Sequence, residues 1–405
     1  MRQARHRGAH AMTARKAMYA VYAVFILNGF MFASWASRIP QVRDGLDLNP
    51  QKLGLVLLAI AIGSLVSMPL AGVVISRLGA ARTITVMSLI GASGLAIAAV
   101  GFRHGVAPVI PGLFLLGLGS GTWDVAMNVE GAEVERRMQR SIMSRFHAGF
   151  SVGTVAGALL GSAMIALGVS VTVHLAAVAL LVALVATPAV RGFLPIEPHD
   201  EEASGPRRSP LKAWTEPRTL LIGLFVFCMA FTEGTGVDWL GVSVIDGYDA
   251  AAALGSLTFA IFLAAMTLGR WFGPGALDRY GRVPLIRVTG LCAVAGLMLV
   301  VWGGSLLVAM AGAALWGLGV ALGFPVGMSA AADDARHAAG RVSVVSSIGY
   351  LAFLAGPPFV GFLGHQVGTL RALTAAAAMV TLGVLISGVL QPKPEPHRRP
   401  ALSES

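Results

Sequence analysis

Charge is what this sequence has least of. Asp, Glu, Lys and Arg make up 12% of its 405 residues, against about 25% in soluble domains. So little charge excludes an ordinary soluble enzyme or binding module. Cysteine is almost missing as well: Cys228 and Cys292 both lie inside apolar runs, which excludes a disulfide scaffold. The phosphate-cradling pattern G-x-x-x-x-G-K-[ST] is absent, which argues against ATP-driven work. No nucleophile–base pair and no His/Cys metal spacing is found, so the reading is a non-enzyme with no cofactor and no metal site.

What fills the space is apolar. Hydrophobic residues reach 56% and the mean hydropathy is +0.74, which excludes disorder. Glycine, at 50 residues, suits helices packed closely in lipid. A window of about 19 residues finds twelve segments long enough to span a bilayer. They cover 17–37, 52–75, 83–101, 108–130, 145–167, 170–190, 219–244, 252–273, 284–302, 305–330, 342–364 and 369–390. The first follows a basic segment but lacks a small-residue cleavage site, so it reads as an uncleaved helix.

The net charge of +10 would suit nucleic acid, yet its distribution points elsewhere. Of the 30 Lys and Arg, 25 fall in the tails and in alternate loops, on one side of the expected bilayer. The other side holds only Arg38, Arg43, Lys52, Arg103 and Arg371. The positive-inside rule then predicts both termini in the cytoplasm. No basic–aromatic stripe is present, so no nucleic-acid partner is expected.

The longest hydrophilic stretch divides the chain evenly. The expected organisation is a basic tail over 1–16, a six-helix half over 17–190, a linker over 191–218, a second six-helix half over 219–390 and a tail over 391–405. A shift of 200 residues superposes Gly112 on Gly312, Gly117 on Gly317, Gly119 on Gly319, Gly149 on Gly349, Gly161 on Gly361 and Gly168 on Gly368. Duplicated halves with a site between them are a transporter architecture.

After the eighth span the chain reads Gly273-Pro-Gly-Ala-Leu-Asp278-Arg279-Tyr-Gly281-Arg282, and after the second Gly72-Val-Val-Ile-Ser76-Arg77-Leu-Gly79. The first resembles the signature loop of the major facilitator superfamily, G-x-x-x-D-R-x-G-R. The second keeps Arg77 and Gly79 but has Ser76 in place of the aspartate. The resemblance covers the whole chain. It implies an all-α polytopic membrane protein with twelve helices in two pseudo-symmetric halves, working as a monomer by alternating access, with these loops as cytoplasmic gates.

Ionisable groups inside the bilayer are costly and therefore functional candidates. Asp124 and Asn128 are spaced i,i+4 on span four and share a face. His147 on span five should lie at a similar depth, so an Asp124–His147 pair is one candidate for proton coupling. A buried structural acid and an interfacial histidine remain open alternatives. Glu233 sits mid-span among the glycines of span seven and is expected to face a cavity. Asp238, about 140° further round the helix, is expected nearer the outer end. A structural Glu233 would need a base, and few buried bases are visible in its half. Asn28 and Trp35 lie one heptad apart on span one, an amide and an aromatic suited to a sugar-like ring, although Trp35 also fits an interfacial belt. Arg38 sits where an outer-gate cation would sit. Tyr350 on span eleven is a candidate cavity hydrogen-bonder, with Pro357 and Pro358 expected to kink the helix.

The phrases SWASRIP, GTWDVAMN, RFHAGFSVG and GYLAFLAGP resemble a bacterial branch of the superfamily, the MosC-like branch that contains the membrane protein of rhizobial rhizopine gene clusters. That resemblance implies a carrier of a small sugar- or polyol-like solute in the bacterial cytoplasmic membrane, with a proton as coupling ion. The alternative is a proton-driven efflux pump for amphipathic compounds. Span five carries Gly153, Gly157 and Gly161 but no proline, which departs from the multidrug antiporters.

Overall fold

The computed structural model describes residues 2–138, 142–194, 210–333 and 338–392. Within them the chain is helical throughout. The first half contains α1 (Arg2–Ala36), α2 (Ile39–Gly45), α3 (Pro50–Gly101), α4 (Val106–Met138), α5 (Met143–Ala166) and α6 (Val171–Ala189). The second contains α7 (Pro217–Tyr248), α8 (Ala252–Tyr280), α9 (Arg282–Trp302), α10 (Leu306–Val320), α11 (Gly323–Ala331), α12 (Ala338–Val367), α13 (Thr369–Ala372) and α14 (Thr374–Ile386).

Eleven helical stretches among the described residues are long and apolar enough to cross a membrane, one fewer than expected. The reason lies in α3. Its run Pro50–His104 holds 55 residues, roughly 80 Å at 1.5 Å per residue, which is enough for two crossings. Gly79 divides it, with φ 76° and ψ 161°, a backbone shape essentially closed to other residues. The expected second and third spans are thus two arms joined at one residue. Gly281 has the same shape, φ 77° and ψ 167°, between α8 and α9.

The duplication is therefore written in the backbone. Among the described residues, those with positive φ fall into four pairs: Asp47 with Asp249, Gly79 with Gly281, Gly105 with Gly304, and Gly168 with Gly368. Each turn that needs an unusual conformation recurs about 200 positions later.

The basic residues before the first span continue its helix, since α1 runs unbroken from Arg2, and α12 runs through Pro357 and Pro358. The linker stretch 195–209 and the tail 393–405 lie outside the described residues.

Large apolar side chains such as Leu307, Leu385 and Phe272 point outward at 79%, 74% and 70% exposure. In water that would be a liability, but lipid is as apolar as they are. The polar residues gather inside. Replacing Gly281 with Ala should lower the thermal midpoint in detergent through backbone strain alone, roughly 1–3 kcal/mol, since no atom lies within 4 Å of the added Cβ. Gly275→Ala, helical and equally open, should leave the midpoint the same or raise it, and this contrast is the check.

Candidate functional site

A cavity of about 400 Å3 lies between the halves. α1 contributes Asn28, Phe32 and Trp35; the first arm of α3 contributes Ser64; α4 contributes Ser120 and Asp124; α5 contributes Phe150. From the second half come Glu233, Gly234, Val237 and Asp238 of α7, Arg270 of α8, Phe324 of α11, and Tyr350 and Phe353 of α12. The walls are mostly apolar and aromatic, with a few converging polar groups, as small-molecule sites are.

Asn28 is held rather than loose. Ser120 donates to its Oδ1 at 2.8 Å, and its Nδ2 points at the Met127 sulfur at 3.9 Å. Trp35 closes one side, with its indole N–H buried and lacking a partner. Asp124 forms no ion pair among the described residues. It and Tyr350 both line the cavity, so the two halves contribute a carboxyl and a hydroxyl to the same space.

Glu233 and Asp238 both line the cavity, contrary to the expectation that only Glu233 would face it. At 100° per residue, Gly234 and Val237 occupy the centre of the exposed face of α7, and the two acids flank it at roughly 70° on either side. Glycine at the centre leaves room for both. Glu233 also has a base. Arg270 Nη2 donates to its Oε1 at 2.7 Å, and the two side chains are 28% and 17% exposed. Arg270 looked like part of the basic flank of the eighth span, yet it lies ten residues before the end of α8 and lines the cavity. Its second anchor is Nε donating to the Ala321 carbonyl at 3.3 Å. Neither partner reveals the pair alone, because they are 37 residues apart on different helices.

Two other expected residues do not reach the cavity. Asn128 turns back on its own helix and donates to the Asp124 carbonyl at 2.8 Å, a local bond that short amides readily make. His147 is exposed and sits edge-on to Phe25, ring centroids 5.3 Å apart, so no Asp124–His147 pair forms. Arg38 is buried and donates through Nε to His174 Nδ1 at 2.9 Å.

Among the described residues, the hydrogen bonds joining the halves all lie at the end away from the termini. Arg43 Nη1 reaches both Asp246 carboxylate oxygens, at 2.6 and 2.7 Å, and within the second half Thr369 donates to the same carboxylate at 2.9 Å. Ser162 donates to the Ala253 carbonyl at 2.9 Å. Gly54 rests against Pro357 and Gly361 against Pro50, bringing α3 and α12 backbone to backbone. Asp246 is eight residues beyond Asp238, so this seal lies about 12 Å from Asp238 and about 20 Å from Glu233 along α7.

The signature loops behave unequally. Arg282 donates to Asp333 at 2.7 Å and to Ser329 at 2.9 Å, both in its own half. Arg279 stacks over Tyr280 at 5.3 Å. Asp278 makes no ion pair among the described residues. Ser76, standing where the signature has an acid, donates to the Val73 carbonyl at 2.9 Å. Next to it Arg77 and Gly79 begin the turn into the second arm of α3.

Glu233→Gln and Arg270→Met should each destabilise the protein, because each leaves a polar group unpartnered. The double variant should recover roughly 1–3 kcal/mol relative to additivity, read by denaturant titration. Strict additivity would mean the pair contributes nothing. Separately, Arg43→Gln should loosen the seal. Spin labels on Lys52→Cys and Ala251→Cys, with Cys228 and Cys292 replaced by Ala, should then gain a longer distance component.

The sequence pattern of the Major Facilitator Superfamily matches residues 20–350. The chain is 33% identical over 386 residues to an uncharacterised transporter, y4wD, of Sinorhizobium fredii, covering 89% of this chain and 97% of that one. It is 29% identical over 386 residues to the membrane protein MosC of Rhizobium meliloti, covering 94% and 91%. Its fold is similar to that of the nucleoside transporter NupG, with TM-score 0.74 at 14% identity over 93% of this chain and 99% of that one. A duplicated bundle, a cavity between its halves and a family match over most of the sequence agree: this chain belongs to the Major Facilitator Superfamily and is a multi-pass secondary transporter.

Proposed function

We propose that the chain carries a small, hydroxyl-rich solute of the sugar or polyol class across the bacterial cytoplasmic membrane, coupled to protons, with both termini cytoplasmic. The observation that supports it most is the composition of the cavity wall. Aromatic faces from Phe32, Trp35, Phe150, Phe324 and Phe353 stand beside Asn28, Ser64, Ser120, Asp124 and Tyr350. A sugar-like ring has apolar C–H faces that stack on aromatics and a polar edge that needs donors and acceptors. An amide, hydroxyls and carboxyls supply that edge.

Coupling falls to the acids. A carboxylate inside the bilayer is costly unless it is paired, protonated or bound to solute. Glu233 has Arg270, whereas Asp124 and Asp238 have no cation partner among the described residues. Asp124, from the first half, is the first candidate to exchange a proton as the halves rock. Asp238, from the second, is the next. Asn28, Trp35 and Tyr350 are assigned to the solute. With the termini cytoplasmic, the Arg43–Asp246 seal closes the outer end and the cavity belongs to the cytoplasm-facing state.

The alternative, proton-driven efflux of amphipathic compounds, draws on the same two unpaired acids among aromatics. The two readings separate in proteoliposomes, by recording solute-triggered charge movement across sugars, inositols, polyols and lipophilic cations. A transient with a sugar or polyol that is lost in Asp124→Asn, with Glu233→Gln and Asp238→Asn as companions, is the expected result. A response to lipophilic cations alone would move the assignment to efflux. Currents unchanged in all three variants would remove the acids from coupling.

A further inference from the structure

Arg38 and His174 meet outside the cavity lining, toward the end where the halves are sealed. Arg38 Nε donates to His174 Nδ1 at 2.9 Å, and both residues are buried. A guanidinium has only donors, so Nδ1 is the acceptor and the imidazole is neutral. A proton on Nδ1 would set donor against donor and place a second cation beside the first. Arg38 cannot yield its own charge to relieve this.

The surroundings offer nothing to offset that second charge. α6 packs on α1 and α3, and a Cβ on Gly161 of α5 would stand 3.8 Å from the His174 ring. From α1 the charged group that faces His174 is Arg38. α3 has no ionisable residue between Arg82 and its end, and α5 has none after His147. Arg103 and His104, just past α3, are exposed. Asp44 and Asp246 are engaged by Arg43.

Arg38 also stands at the joint that carries the seal. Its N–H donates to the Trp35 carbonyl at 2.9 Å, and its carbonyl accepts from the Val42 N–H at 3.0 Å. It therefore ends α1 and begins α2, the seven-residue helix that holds Arg43. Displacing Arg38 moves the element whose arginine joins the halves.

We propose that His174 is a proton-sensing residue of the transport cycle: the seal closes only on its neutral imidazole, and a proton taken up while that end is open holds it open. Closing then requires Nδ1 to release its proton to water. Only the source of that proton, the outside, rests on the orientation and coupling proposed above; the response of the seal to pH does not.

The test uses the full chain in detergent without solute, spin-labelled at Lys52→Cys and Ala251→Cys with Cys228 and Cys292 replaced by Ala. As pH falls from 8 to 5.5, the ratio of long to short distances should rise. The rise should be at most about tenfold per unit below about pH 6.5, where an imidazole in water titrates. His174→Gln, whose side-chain carbonyl can accept from Arg38 but takes up no proton, should stay sealed and lose the response. Asp124→Asn and Asp238→Asn should keep it. A seal that responds this way while no solute drives proton movement supports the sensor and fails only the coupling proposed above. A parent protein indifferent to pH would overturn the proposal. So would a response that survives in folded His174→Gln, which would move it to the exposed His104 or His365, or one lost in the acid variants, which would move it to the cavity. Should His174→Gln fail to fold, Arg38→Met answers the same question: without the facing cation the response should flatten, and an unchanged response would overturn the proposal.

Discussion

The cost of leaving a polar group unpaired in hydrocarbon governs this molecule. Backbone groups meet it by forming helices from one end of the described chain to the other. Side chains meet it by facing inward. Four charged groups of the spans border the cavity on the seam between the halves, where Glu233 and Arg270 satisfy each other and Asp124 and Asp238 border open space. Function and solubility in lipid are thus the same arrangement seen from two sides. A residue that cannot face lipid must face the cavity or a partner.

The seam is unequal along its length. At one end Arg43 and Asp246 join the halves, with Thr369 steadying the carboxylate from its own half, and backbone contacts between α3 and α12 leave little room for water. Toward the other end the described residues supply no cross-half hydrogen bonds. Alternating access requires that asymmetry to be reversible, and an ion pair reinforced by one hydroxyl suits the purpose. It is strong when desolvated, yet water can replace every bond in it once the halves begin to part.

The halves repeat their turns more faithfully than their chemistry. Gly79 and Gly281 hold nearly identical backbone angles, as glycine alone readily can, whereas the acid of the second signature loop has become Ser76 in the first. Geometry was retained where a helix must reverse direction.

Much of this was legible in the chain itself. Apolar runs of membrane length, basic residues on alternate loops and glycines recurring 200 positions apart determined the architecture, because lipid imposes one rule on every span. Helical spacing also brought Asn28 together with Trp35, and singled out Asp124, Glu233 and Tyr350. What spacing could not supply was contact between helices distant in sequence. Only packing showed that Arg270 belongs inside with Glu233, that Asn128 folds back on its own carbonyl, and that His147 meets Phe25 rather than Asp124. Only packing, too, placed Asp238 beside the cavity and Arg38 against His174. Periodicity says which face of a helix a residue occupies; what that face meets depends on how neighbouring helices rotate and approach, and tertiary structure alone decides it.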